Sequence, residues 1–195
     1  MQQKSVTNNQ NQVDANDLSF ISDLSLRKKI IDAIETISGL YLFEQDAKYA
    51  LGLKKEIRRV LILYSASIIE AVLLYLYNKG KFSLSKIDYS DVRVLPNPYQ
   101  FDQSFKLVIA KQIEIPKKDR ELMLDVLLKF FSEKKIISKE LEKNIKKVKD
   151  FRNTFHLSKS RSGLLVSTRM VQISTDAVYE TIVAVKNNIQ KKDNK

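Results

Sequence analysis

The chain has 195 residues, 34 of them basic and 23 acidic, with a net charge of +11 and 44% apolar side chains. Such a composition supports one ordinary hydrophobic core and argues against global disorder. The absence of cysteine, a single histidine (His156) and only four glycines exclude thiol catalysis, disulfide frameworks, thiolate or multi-histidine metal centres within one chain, and glycine-rich phosphate loops. No metal site and no cofactor is expected.

Residues 1–16 hold eight Asn or Gln and almost no apolar side chain. A stretch of this kind buries too little surface to offset its ordering entropy, which predicts a disordered tail. It also lacks the basic start, apolar run and cleavage site of a secretory signal, so a cytoplasmic location is expected. Residues 17–192 read as a single helical domain. Leu26, Ile30, Ile34 and Ile37 recur at helical spacing and predict a first helix that breaks at Gly39, with a further piece over 40–50 interrupted at Gly52.

The run VLILYSASIIEAVLLYLY (Val60 to Tyr77) is apolar almost all round and reaches the length of a membrane span. Ser65, Ser67 and Glu70 interrupt it, however, and an acid in mid-span costs about 2.5–3.5 kcal/mol on insertion. The run therefore reads as the central helix of a bundle, covered by neighbours, with no membrane involved. Glu70 then needs a buried partner.

Beyond Gly80 the character changes. LPNPY (Leu95 to Tyr99) reads as an extended connection, and KLVIAKQIEI (Lys106 to Ile115) fits strand or helix equally well. Pro116 is suited to opening a helix whose inward face is Leu122, Val126, Leu127 and Phe130. Ser138 is an N-cap for another helix over 139–156. Gly163 marks a turn, and Leu164 to Ile173 reads as a short extended piece. Ser174 or Thr175 then caps a last helix with Val178, Ile182, Val185 and Ile189 inward and Asp176 and Glu180 in its first turn. The fold class is all-α, a bundle of four to five helices with room for a small extended or β-hairpin element.

The Ser138 helix carries the one constellation with chemistry in it. At about 100° per residue, Leu141, Ile145, Val148 and Phe155 form one stripe, and Arg152 and His156 fall on that stripe or its edge, with Lys149 flanking it. A buried arginine needs a partner. One explanation is structural: Arg152 pairs with Glu70 or Asp150, and His156 caps the helix end. The other is catalytic. Cleavage of RNA by its own 2′-hydroxyl needs a proton donor or acceptor, which histidine supplies near neutrality, and a cation on the phosphate, which the arginine fork supplies. One histidine is too few for two proton transfers, and a two-fold homodimer that joins the helix ends would supply a second. From Ser132 to Arg161 the chain has a net charge of +6, ten basic side chains against four acidic, which suits an RNA backbone along Lys149, Lys159 and Arg161.

The run KVKDFRNTFHLSKSR (Lys147 to Arg161) resembles the signature of HEPN-like domains, helical bundles with an Arg–polar–x–His motif. YSASIIEAVLLYLY with its acid is similar to their second core helix, and ISTDAVYETIVAV to their last. Arg152, Asn153 and His156 match the motif residue by residue, with three residues between Arg and His, one fewer than the family's usual minimum. The resemblance implies a bundle that dimerises through the motif helices. In active members the paired motifs form a metal-independent endoribonuclease, often in toxin–antitoxin or abortive-infection defence with a cognate antitoxin or effector protein; other members are non-catalytic interaction modules. On this reading Arg152, Asn153 and His156 are catalytic, with Glu70 and Asp150 supporting. The alternative keeps Arg152 and His156 structural, in a module whose basic face binds nucleic acid or an acidic partner.

Overall fold

A computed structural model describes residues 15–46, 50–94, 108–155 and 166–193. Of the disordered tail expected over 1–16, residues 1–14 lie outside the described residues, as do the LPNPY connection, His156, Lys159, Arg161 and the Gly163 turn; Ala15 and Asn16 instead open a short 3-10 helix, Ala15–Leu18. Among those described, five α-helices and one antiparallel pair of strands occur, in the order α1 (Leu24–Gln45), α2 (Leu51–Lys79), β1 (Ser85–Val94), β2 (Val108–Pro116), α3 (Leu124–Glu133), α4 (Lys139–Thr154) and α5 (Thr168–Asp193). They form two compact units: the hairpin segment Lys81–Leu122, and a helical unit drawn from the chain on either side of it.

In the helical unit α2 packs against all four other helices. Its 18-residue apolar window has a mean hydropathy of 2.0, and 56% of that window is buried inside the protein. Leu61, Ile62, Ile69, Val72 and Leu73 are wholly buried. The serines that interrupt the run are satisfied within the helix: Ser65 Oγ donates to the Leu61 carbonyl at 2.8 Å and Ser67 Oγ to the Leu63 carbonyl at 3.0 Å. As expected, α2 is the central helix of the bundle.

Helix α1 starts where Asp23 accepts the Leu26 N–H at 3.0 Å and runs unbroken to Gln45. The predicted break at Gly39 does not occur. A glycine inside a helix costs about 1 kcal/mol relative to alanine, which the packing of Ile30 and Ile37 absorbs. Gly52 likewise interrupts nothing and sits in the first turn of α2. Lys186 of α5 reaches back to Asp17 at 2.9 Å and ties the start of the described chain to its last helix.

Three further expectations are corrected. Pro116 does not open a helix but ends β2, and α3 begins eight residues later at Leu124. The stripe that α3 buries is accordingly Leu124, Leu127, Leu128 and Phe131, while Val126 and Phe130 are half-buried. Residues 168–173 are helical, not extended, because α5 begins at Thr168 with the Ser167 hydroxyl accepting the Met170 N–H at 3.3 Å. Ser174 and Thr175 lie inside α5 and bond back to the carbonyls of Met170 and Val171 instead of capping. The inward set is nonetheless as read: Val178, Ile182, Val185 and Ile189 are all buried.

In the hairpin unit, pairing runs in regular register from Ser85↔Pro116 to Ser90↔Lys111 and resumes at Arg93↔Ile109. The irregularity falls on Asp91, whose φ of 54° is left-handed, so Asp91 and Val92 together oppose a single residue. The base is closed by the Lys117 N–H on the Leu84 carbonyl at 2.7 Å and by the Lys86–Glu121 ion pair. Lys106–Ile115 thus resolves as strand wherever it is described.

Candidate functional site at the C-terminal end of α4

Ser138 caps α4 by accepting the Leu141 N–H at 3.1 Å, and Leu141, Ile145 and Val148 are buried against the bundle. These three fix the rotation of the helix. Phe151, Arg152, Asn153 and Phe155 consequently emerge half-buried at its C-terminal end.

Arg152 finds its partner on α2. Its Nη1 donates to Glu70 Oε2 at 3.1 Å, with side-chain exposures of 24% for Arg152 and 30% for Glu70. The other oxygen of Glu70 accepts the Leu124 N–H of α3 at 3.0 Å. Met123, the residue before α3, has no side chain able to cap it, so a carboxylate from another helix satisfies the first donor of α3. One acid therefore joins α2, α3 and α4. Asp150, the other acid considered as a partner for Arg152, is 69% exposed and among the described residues reaches Lys149, at 3.9 Å, not Arg152.

Lys149 donates to Asp125 of α3 at 2.7 Å and is itself 21% exposed, so its charge is already matched on the protein. Asn153 shares this end of the helix and is half-buried. The structure thus pairs Arg152 with Glu70 and places Lys149 and Asn153 on the same end of α4; His156, Lys159 and Arg161 follow in the chain, outside the described residues.

Two participants went unread in the sequence. The Arg59 guanidinium lies 5.9 Å from the centroid of the Phe155 ring. Arg58 bonds Glu44, a buried carboxylate, at 2.7 Å through Nε and the Val166 carbonyl at 3.1 Å through Nη1. The signal was present as Lys54, Lys55, Arg58 and Arg59 ahead of the apolar run, where it read only as a basic flank. Compared with known proteins, the chain matches no family model, no curated protein and no solved structure.

Proposed function

We propose that the chain is a HEPN-like protein acting as a homodimeric, metal-independent endoribonuclease in a cytoplasmic toxin or abortive-infection defence role. The observation that carries this reading is the Glu70–Arg152 pair. Glu70 engages Arg152 through Nη1 alone, so the carboxylate orients the guanidinium and leaves the remainder of its fork for phosphoryl oxygens. Four positions along the chain stands the one histidine. In a two-fold dimer, His156 of one protomer takes the proton of the 2′-hydroxyl as its oxygen attacks phosphorus. His156 of the partner subunit protonates the departing 5′-oxygen, and Arg152 stabilises the charge that develops between them. The products are a cyclic phosphate and a 5′-hydroxyl. An antitoxin or effector protein is the expected protein partner.

The competing reading is a non-catalytic HEPN-like interaction or nucleic-acid-binding module with Arg152 and His156 structural. A specific observation favours it: the carboxylate that holds Arg152 also caps α3, as a purely architectural joint would. Purified protein incubated with single-stranded RNA in excess EDTA decides between them. Cyclic-phosphate products from a species that light scattering sizes as a dimer support the ribonuclease; intact RNA, or a monomer, favours the module.

A further inference from the structure

The hairpin sheet has two strands, so among the described residues each strand keeps one edge with no strand beside it. No residue of either strand is fully buried, and Ile87, Tyr89, Val94, Val108 and Ile109 are exposed. A ribbon of this kind is marginal in water until further strands or a helix extend it. Its two edges are not alike. On β1 the Tyr89 N–H is taken by the Asp88 carboxylate at 2.9 Å, and the left-handed Asp91 breaks the line two residues later. A donor satisfied by its neighbour and a bulge close an edge to further pairing.

No such device stands on β2 between Ala110 and Glu114. The Lys117 N–H donates to Leu84, the residue opposite it in the register, so the odd-numbered residues of β2 bond to β1. By the alternation of a strand, the N–H and C=O groups of Ala110, Gln112 and Glu114 point the other way, off the free edge. Pro116 is next in that row and has no N–H, which ends it.

We propose that the free edge of β2 is a homotypic interface: two copies of the chain pair their β2 strands antiparallel about a two-fold axis at Gln112 and form one four-stranded sheet. The side chains select that register. An axis at Lys111 opposes two lysines, and one at Glu114 opposes two glutamates. An axis at Ile113 draws Pro116 into the ladder, where a donor is missing. An axis at Ala110 carries Glu114 past the position of Val108, where the described strand begins. Only the axis at Gln112 opposes two neutral amides, sets Ile109 against the partner subunit's Ile115, and gives each outward N–H from Ala110 to Glu114 a carbonyl to meet. Such a closed, self-complementary contact is the isologous form of a two-fold dimer. The pairing uses no residue of the α4 site, and its test reads association, not cleavage.

The chain has no cysteine, so single cysteines placed along β2 report the axis without background. Full-length chains carrying Ala110→Cys, Lys111→Cys, Gln112→Cys, Ile113→Cys or Glu114→Cys are oxidised in solution, and disulfide-linked dimer is read on denaturing gels. Opposed residues in a bonded antiparallel pair lie about 5.5 Å apart at Cα, within disulfide reach. Each step from the axis moves the two copies of a position about 7 Å further apart along the strands. Cross-linking is expected to peak at Gln112 and to fall on both sides. A peak elsewhere, or no linked dimer, overturns the proposal. Gln112→Pro removes an outward donor and spares the bonds to β1, and should halve the mass found by light scattering. Tyr89→Pro makes the equivalent change on β1 and should leave the mass as in wild type. An unchanged mass in Gln112→Pro overturns the proposal, as does a wild-type monomer, which assigns the edge to another chain or to none. Dissociation in both proline variants overturns it too, because association then follows the stability of the hairpin and not the edge of β2.

Discussion

Glu70 and Arg152 stand 82 positions apart in the chain and 3.1 Å apart in the fold, and the oxygen of Glu70 that Arg152 leaves unused caps α3. A carboxylate in an apolar helix loses hydration on burial and needs compensation from fixed donors. Here one donor is a guanidinium and the other a helix N-terminus, so the end of α4 and the start of α3 are tied to the two oxygens of one carboxylate.

This dual role separates two substitutions. Glu70→Gln keeps an oxygen for Leu124 and loses the charge, and is expected to cost about 1 kcal/mol. Glu70→Ala removes cap and pair together and should cost about 2–3 kcal/mol. Arg152→Ala should be less damaging in the Glu70→Gln background than in wild type, by at least about 0.5 kcal/mol in urea denaturation. Strict additivity would mean that the pair contributes no coupling.

His156→Ala distinguishes catalysis from architecture. Under the ribonuclease reading, cleavage in EDTA falls about 10²–10⁴-fold while the melting temperature holds. Intact RNA with the wild-type protein, together with a melting temperature lowered by several degrees in the variant, assigns the residue to the fold.

Gly39 sits inside α1 with nothing within 4 Å of where a Cβ would stand. Gly39→Ala should therefore stabilise by about 1 kcal/mol, a gain of about 2–4 °C for a chain of this size. A lower melting temperature, read by circular dichroism, would show that α1 needs its glycine for a reason other than space.

Glu180 is the side chain on α5 whose titration opposes folding at neutral pH. Partial loss of water, then the carboxylates of Asp176 and Glu140, hold its pKa above the ordinary glutamate value. The folded state thus binds this proton more tightly than the unfolded state does. Its contribution is fully favourable at pH below the ordinary glutamate range and is lost as pH rises through the raised value. Glu180→Gln should stabilise by about 0.2–0.5 kcal/mol at neutral pH, the scale of a like-charge pair four residues apart, and the gain should vanish in acid. A gain independent of pH would refute this origin.

What was legible in the sequence followed the strength of its periodicity. The stripe of α4 and the inward set of α5 are single rows flanked by charge, with one consistent solution each. Glu70 was legible as an acid needing a partner, and two candidate pairings for Arg152 were narrowed only by distance. The failures share a cause: local signals were read without their tertiary alternatives. Pro116 suits the end of an edge strand as well as the start of a helix. Ser174 resembles a cap but bonds Met170 once α5 has begun at Thr168. The alternation of β1 (K-I-D-Y-S) is short and ends at a left-handed Asp91 that no residue pattern announces. Arg59 was read as flank because its relation to Phe155 depends on two helices meeting.

The hairpin unit interrupts the helical unit in the chain, and this sets an order of events at the ribosome. Helix α2 emerges with only α1 available to cover it, while α5, which packs on it in the finished protein, begins about 90 residues later, a delay of roughly 5–20 s at ordinary rates of synthesis. Throughout that interval a segment with a mean hydropathy of 2.0 is presented to the cell half-clothed. Within the run Val60 to Tyr77 the one charge carried through that interval is Glu70, the acid that α4 later claims, and it raises the cost of placing the run in a bilayer.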